Sequence, residues 1–248
     1  MLKVRIIPIL TFNGFGLVKT KKFSNPRMVG NAVQAARVYN SRGVDELVFI
    51  DIFATSQKRK INLKLLSDVL KECYMPVAIG GGIETIKDIN DLLKIGADKV
   101  VIKTKALVEP HFIKEAVTFF GSQCISISID VIKTKESYKI YNKLGINISL
   151  NDFLSSMIEC KVGEFILTSV DQDGMMDGFD IELINYVEKM TNIPIIAVGG
   201  GGKMEHYKEL FSKTNINAVG SASIFHFTQF TPLDIKNELK SINIPVRI

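Results

Sequence analysis

A strand–glycine–helix unit occurs twice in this chain, and the repetition limits its possible folds more than any other feature. The apolar run IPIIAV ends in four glycines, Gly199–Gly202, and a helix-periodic segment follows them. The segment Pro76–Glu84 has the same arrangement, and its glycines begin 119 residues earlier, at position 80 rather than 199, in a chain of 248 residues. A continuous apolar run is typical of a strand buried on both faces. The sequence therefore predicts buried parallel strands arranged in two similar halves.

The alternation of strand-like and helix-like segments continues along the chain and forms eight pairs. The connections are too long for hairpins, and eight pairs in about 250 residues have the size of a (β/α)8 barrel. We expect an α/β fold, one TIM barrel domain over residues 1–248, with a doubly wound open sheet as the alternative. The predicted strands are Val4–Leu10, Glu46–Ile50, Val77–Gly80, Lys99–Ile102, Ile125–Ile129, Phe165–Thr168, Ile195–Val198 and Ala218–Ser221. The predicted helices are Asn31–Tyr39, Leu63–Cys73, Thr85–Leu93, 110–119, Asp152–Cys160, Glu182–Met190, Glu205–Phe211 and Asp234–Leu239.

Two polar segments interrupt this alternation. Thr11–Gly30 is rich in glycine and lysine and predicts a long loop, and such loops usually cover a ligand, bind one or are disordered. Thr134–Ile148 is rich in lysine and tyrosine and predicts an excursion such as a small hairpin.

Composition narrows the function classes. A hydrophobic content of 46% excludes whole-chain disorder, and a net charge of +5 suits a small anionic ligand. The sequence lacks a block of arginine and aromatic residues that would indicate nucleic-acid binding. The N-terminal apolar segment is too short for a signal peptide or a membrane span. The three Cys and three His residues are scattered, which argues against disulfides and a metal site and favours the reducing cytosol. We expect no cofactor.

The glycine runs and the ends of the predicted strands carry the candidate ligand-binding residues. Glycines leave backbone N–H groups uncovered beside a helix N-terminus, which suits phosphate, although an ordinary glycine turn is the alternative. Two copies predict two phosphate sites on opposite sides of one barrel mouth, where a (β/α)8 barrel places its active site. The candidates are Lys19, Asp51, Gly81, Gly82, Lys103, Thr104, Ser169, Asp173, Gly174, Gly200, Gly201, Gly202, Ser221 and Ser223.

Asp130 is the candidate acid/base residue, because its carboxylate ends a strand of small and apolar residues. A carboxylate that caps the following turn is the alternative. The half-barrel repeat predicts a second acid at position 11, where the sequence has Thr11. Threonine forms hydrogen bonds but does not transfer protons near pH 7. A mechanism with two carboxylates is therefore short of one member.

Four charged residues stand at the opposite ends of apolar strands: Arg5, Glu46, Lys99 and Glu164. A buried charge is costly unless it is paired. Two positive and two negative side chains at matching depth could close a ring across the barrel bottom. Alternatively, they face outward as surface charges.

Segments from one end of the chain to the other resemble HisF, the cyclase barrel of imidazole glycerol phosphate synthase. They are RIIPIL, DELVFIDI, GGGI, GADKV, FGSQ, SID before Val131, LTSVDQDG, GGGGKMEH and SASIFHF. The resemblance implies a TIM barrel whose four bottom charges form a gate that admits ammonia from a docked glutaminase, HisH. Asp98 matches a residue of the HisH-docking face.

The predicted active site departs from the HisF pattern. HisF uses two aspartates, which match Asp130 and position 11, and here the second is Thr11. Lys103 replaces an asparagine of the phosphate region, and the first loop has Asn13–Gly16 in place of a Lys/Asp-Gly-Arg pattern, although Lys19 is kept.

Two segments, GLVKTKKFSNP and KECYMPVAIGGGI, are more similar to the HisF paralogue WbuZ of saccharide loci. That resemblance implies an ammonia-channelling synthase subunit that serves the amidination of an N-acetyl sugar for surface polysaccharide, with a HisH-like glutaminase and a sugar amidotransferase as partners. The alternative is a genuine cyclase that converts PRFAR and ammonia to imidazole glycerol phosphate and AICAR in histidine biosynthesis. A third possibility is a non-catalytic scaffold that activates the glutaminase.

Overall fold

A computed structural model describes residues 3–135 and 137–248 and contains a closed barrel of eight parallel strands. The strands are β1 (Arg5–Phe12), β2 (Leu17–Lys21), β3 (Ser24–Gly30), β4 (Leu47–Asp51), β5 (Val77–Gly80), β6 (Lys99–Ile102), β7 (Ile125–Lys133), β8 (Tyr138–Ile140), β9 (Glu164–Ser169), β10 (Ile195–Val198) and β11 (Ala218–Ser221). The ring order is β1-β4-β5-β6-β7-β9-β10-β11, and β11 pairs with β1 to close it. Closure confirms the predicted TIM barrel over the open sheet.

Helices connect the barrel strands, and polar residues cap them. Asn31 caps the first helix, and Thr85 forms a capping box with Asp88 at the third. No described helix has the length and apolar character needed to span a membrane. The helices are α1 (Ala32–Ser41), α2 (Leu63–Leu70), α3 (Ile86–Lys94), α4 (Thr104–Val108), α5 (Pro110–Phe120), α6 (Leu150–Glu159), α7 (Ile181–Glu188), α8 (Met204–Lys213), α9 (Ser223–Phe227) and α10 (Pro232–Ser241), with a 3-10 turn at Ser122–Cys124.

Two short helices, α4 and α9, were not predicted, because a single helical turn has no amphipathic period to detect. They begin at Thr104 and Ser223, which are again 119 residues apart (223 − 104). Each follows directly on a barrel strand at the same place in its half. The repeat of the two halves therefore extends to the elements at the barrel mouth, by which we mean the C-terminal ends of the barrel strands.

The prediction of a long loop over Thr11–Gly30 was wrong. Strand β1 continues to Phe12, and β2 and β3 form an antiparallel hairpin that is joined to β1 through the pair Thr11 and Val18. The alternating β-branched residues of LVKTK favour a strand, but the neighbouring glycines and lysines concealed that pattern. The excursion expected after Thr134 is present as β8, which pairs with β7, and Glu136 lies outside the described residues.

The barrel interior is filled by side chains from alternate strand positions. Because successive strand residues point to opposite faces, Arg5, Ile7, Ile9 and Thr11 follow one another along the inner surface of β1. This order places a charged residue at the bottom, apolar residues in the middle and a polar residue at the mouth. The buried inner cluster comprises Ile7, Ile9, Val48, Ala78, Val101, Ile166, Ile196 and Ala218.

Candidate active site

A cavity of about 600 Å³ opens at the barrel mouth. Most residues predicted for the site line it, although they come from both halves of the chain. Ser169 and Gly202 do not line it: the Ser169 hydroxyl faces the Asp180 carboxylate at 3.5 Å, and the Gly202 N–H donates to His206 Nδ1 at 3.3 Å. The predicted residues that line the cavity are Thr11, Lys19, Asp51, Gly81, Gly82, Lys103, Thr104, Asp130, Asp173, Gly174, Gly200, Gly201, Ser221 and Ser223.

Asp130 is buried in β7 and forms an ion pair with Lys103, which follows β6. The Ser128 hydroxyl lies 3.4 Å from the other carboxylate oxygen of Asp130. The Lys103 ammonium lies 5.7 Å from the ring centroids of both Phe23 and Tyr141. A carboxylate in this position can exchange a proton with a bound ligand, and a cation beside it holds it in place.

Thr11 does not offer its hydroxyl proton to the cavity. Its Oγ1 donates a hydrogen bond to the carbonyl oxygen of Val18 in the hairpin. This bond joins the mouth end of β1 to β2. Thr11 therefore fastens the hairpin to the barrel strand.

Asp51 is fixed by Arg59, a residue that the sequence interpretation missed. The Arg59 guanidinium donates to both carboxylate oxygens, with Nη2 2.8 Å from Oδ1, and the pKa of Arg59 is raised by this hydrogen bond. The Gly81 backbone, with a φ of +123°, packs closely against Asp51. A Cβ at position 81 would lie 2.5 Å from the Asp51 carbonyl oxygen, so only glycine fits there. Arg59 lies in the polar segment QKRK, which looks like an ordinary exposed loop.

Lys19 and Asp173 form a buried ion pair at the other side of the mouth. Lys19 Nζ lies 2.6 Å from Asp173 Oδ1, and the Thr20 hydroxyl lies 3.1 Å from Oδ2. The Lys22 N–H donates to the Asp173 carbonyl at 2.9 Å. These contacts attach the β2–β3 hairpin to the loop after β9.

Ser223 carries a hydroxyl that has no protein partner. It is the one buried side-chain polar atom without a hydrogen bond among residues 3–135 and 137–248. Ser223 lines the cavity together with Gly200, Gly201 and Ser221, whose hydroxyl lies 2.8 Å from that of Tyr207. A buried polar atom without a partner is costly, so this side of the cavity fits a ligand that hydrogen-bonds to it.

The four charged residues at the barrel bottom form a closed ring, which we call the gate ring: Arg5, Glu46, Lys99 and Glu164. Lys99 Nζ lies 2.9 Å from Glu46 Oε1 and 2.8 Å from Glu164 Oε1. The Arg5 guanidinium contacts the second oxygen of each acid, at 2.7 Å and 3.2 Å. Ser126 also donates to Glu164 at 2.9 Å. Each acid therefore contacts both bases.

Pairing outweighs burial in its effect on the pKa of two members of the gate ring, Glu164 and Arg5. Burial alone would raise the pKa of Glu164, but Lys99 and Arg5 lower it below its ordinary value of 4.5. Burial alone would lower the pKa of Arg5, but Glu46 and Glu164 raise it. For these two residues, pairing therefore favours the charged form more than burial disfavours it.

Comparisons with known proteins show the family to which the chain belongs. The family model described as histidine biosynthesis protein matches residues 5–231. Three relatives carry the name imidazole glycerol phosphate synthase subunit HisF: the chain is 40% identical to that of Streptococcus mutans, 42% to that of Staphylococcus saprophyticus and 37% to that of Clostridium botulinum strain Okra. Each alignment covers 100% of both chains. The chain therefore belongs to the HisF family of histidine biosynthesis proteins.

Proposed function

We propose that the protein is the cyclase subunit of an imidazole glycerol phosphate synthase, which converts PRFAR and ammonia to imidazole glycerol phosphate and AICAR. The observation that carries this proposal is the closed gate ring at one end of the same barrel interior that opens into the cavity at the other. The name of the relatives favours this reaction over the saccharide role that the first loop suggests.

The interior between the two ends suits ammonia. Its middle layer contains Ile7, Val48, Ala78 and Val101, all buried and apolar. An ammonium ion is costly in such surroundings, whereas neutral ammonia is not. Ammonia that passes the gate ring would therefore reach the mouth as the uncharged nucleophile.

We also propose that a HisH-like glutaminase docks at the barrel bottom. Asp98 is exposed there, and its carboxylate is held by the Val77 N–H at 2.8 Å. Two aromatic residues at the same end are largely exposed: Tyr74 before β5 is 90% exposed, and Phe119 near the end of α5 is 68% exposed. Exposed aromatic side chains are common in protein interfaces.

The bis-phosphorylated substrate would span the cavity between the two glycine runs. One phosphate would lie near Gly82 and Thr104, and the other near Gly201 and Ser223. The unpartnered Ser223 hydroxyl supports the second site. Asp130 would transfer protons to and from the substrate between them, and Thr11 would hold the hairpin.

A second candidate function is ammonia delivery to a different acceptor, the N-acetyl sugar of a polysaccharide precursor. Two features of the mouth favour it: the hydroxyl of Thr11 is bound to the hairpin, and Asp130 is paired with Lys103. A sugar amidotransferase would then be a further partner.

The test is PRFAR consumption by the purified protein in excess ammonium salt, with the Thr11→Asp variant alongside. Turnover by the wild type at ordinary enzyme rates, roughly 1 s⁻¹ or more, supports the cyclase. An inactive wild type with activity gained by Thr11→Asp would contradict it and favour the second candidate. If the wild type and Thr11→Asp are both inactive, the cyclase function is also contradicted, and nucleotide-linked N-acetyl sugars become the next substrates to assay.

A further inference from the structure

The Lys103 ammonium occupies a site built from three parts of the chain. It is paired with Asp130 and lies 5.7 Å from the ring centroids of Phe23 and Tyr141. The two rings contact edge to face, with centroids 5.6 Å apart. Phe23 belongs to the turn of the β2–β3 hairpin, and the Tyr141 N–H donates to the Asp130 carbonyl at 2.7 Å. The hairpin, the β8 segment and the candidate catalytic strand therefore meet at one ammonium group.

Two other cations at the mouth, the buried Lys19 and the half-buried Arg59, have a different kind of partner. Lys19 is bound to Asp173 and Arg59 to both oxygens of Asp51, and in each case the carboxylate also accepts hydrogen bonds from its own surroundings. These pairs join loops together. Lys103 differs, because its carboxylate partner is Asp130, the candidate acid/base residue.

We propose that Lys103 is a positioning residue with two alternative anionic partners, the Asp130 carboxylate and a phosphomonoester at the Gly81–Gly82 side of the cavity. This inference rests on the proposed function only in that the site takes a phosphorylated ligand. Lys103 follows β6 and Gly81 follows β5, and these strands are paired through Gly80 and Val101. A flexible lysine stem lets the ammonium move between neighbouring strand ends.

A phosphorylated ligand that binds the Lys103 ammonium would therefore free the Asp130 carboxylate, which is the group that transfers protons to and from that ligand. A phosphate dianion attracts an ammonium more strongly than a single carboxylate does. When Lys103 moves to the phosphate, Asp130 loses its ion-pair partner and becomes free to accept a proton. The same movement withdraws the cation from the rings of Phe23 and Tyr141, so ligand binding is communicated to the hairpin turn.

Substitution of Asp130 and substitution of Lys103 should change the affinity for a phosphorylated ligand in opposite directions. Because Asp130 competes with the ligand for Lys103, Asp130→Asn should tighten the binding of ribose 5-phosphate by at least about fivefold in isothermal titration calorimetry. Lys103→Met should weaken it by about 10- to 100-fold, as expected for the loss of a charged hydrogen bond. In the Lys103→Met background, Asp130→Asn should change the affinity by less than about twofold.

Lys143→Met is the matched control, since Lys143 lines the same cavity but is exposed at its rim. Its effect should stay below about twofold, because exposed charges are screened. Equal tightening by Asp130→Asn in both backgrounds would show a general loss of negative charge and overturn the proposal. Equal weakening by Lys103→Met and Lys143→Met, or no binding by the wild type, would overturn it too.

A spectroscopic readout separates this inference from the proposed reaction. With 3-fluorotyrosine incorporated, the resonance of Tyr141, assigned by Tyr141→Phe, should shift when ribose 5-phosphate binds to the wild type and should not shift in Lys103→Met. An unmoved wild-type resonance despite binding would contradict the proposal. PRFAR turnover is measured independently, so a failed cyclase assay with a positive affinity cycle would reject the reaction and keep the role of Lys103.

Discussion

The two ends of the barrel use charged residues in opposite ways. At the bottom, each acid of the gate ring contacts both bases, so four side chains form one interdependent unit. At the mouth, the charges form three separate pairs, and each joins a different loop. The three pairs are Lys103–Asp130, Arg59–Asp51 and Lys19–Asp173.

The two ends therefore differ in how far one charged residue depends on the others. Removing any member of the gate ring leaves a buried charge poorly compensated, so the ring resists rearrangement. A separate pair can open without disturbing the other two. The charges at the bottom are therefore interdependent, whereas each pair at the mouth is separate from the other two.

The largest expected effect is on catalysis at the mouth, with the bottom of the barrel left unchanged. Asp130→Asn should lower PRFAR turnover by about 10²- to 10⁴-fold, the usual contribution of one acid/base group. The fold should persist, because asparagine keeps the shape of the side chain. Product formation in excess ammonium salt measures the effect, with the exposed Asp177→Asn as the control. Near-normal turnover by Asp130→Asn would remove it from the chemistry.

Substitution of two lysines at opposite ends of β6 allows a direct comparison of the two ends of the barrel. Lys99 begins β6 and belongs to the gate ring, whereas Lys103 follows its end. Lys99→Met should lower the free energy of unfolding by about 3–5 kcal/mol, because two buried carboxylates keep only Arg5. Lys103→Met should cost less, about 1–3 kcal/mol, because it leaves one buried carboxylate, Asp130, without its cation instead of two. Urea denaturation measures both, and equal losses would contradict the contrast.

Acid should lower the free energy of unfolding through the gate ring, because its member Glu164 becomes protonated. The pKa of Glu164 in the folded protein lies below its ordinary 4.5, so the ionised carboxylate stabilises the fold above pH 4.5. That contribution is lost as the pH falls from 4.5 through the lowered value. The free energy of unfolding of the wild type should therefore decline with acid more steeply than that of Glu164→Gln. Parallel profiles would show that the ring does not lower this pKa.

The smallest expected effect concerns Thr11. Thr11→Val removes the hydrogen bond to Val18 and should cost about 0.5–1.5 kcal/mol of stability. Its PRFAR turnover should stay within about threefold of the wild type, because the hydroxyl is bound to the hairpin. Thermal unfolding and the ammonium-dependent assay test the two parts. A loss of turnover as large as that of Asp130→Asn would place Thr11 in the chemistry.

The sequence by itself determined the barrel and which residues stand at its strand ends. Buried parallel strands require continuous apolar runs, and their spacing limits the connections, so eight repeated pairs permit few folds. Strand alternation also places Arg5 and Thr11 on one inner surface, at opposite ends. The sequence analysis missed the β2–β3 hairpin, because glycines and lysines surround the β-branched residues of β2 and because β3 is polar and exposed along most of its length.

Only the tertiary structure decided which charged residues meet. Lys103 and Asp130 are 27 positions apart, and Lys19 and Asp173 are 154 apart, so no local pattern joins them. The aromatic rings over Lys103 and the arginine on Asp51 come from loops without periodicity. Partner choice at the mouth depends on the stagger of neighbouring strands and on how the loops fold back, and both are set by packing of the whole barrel.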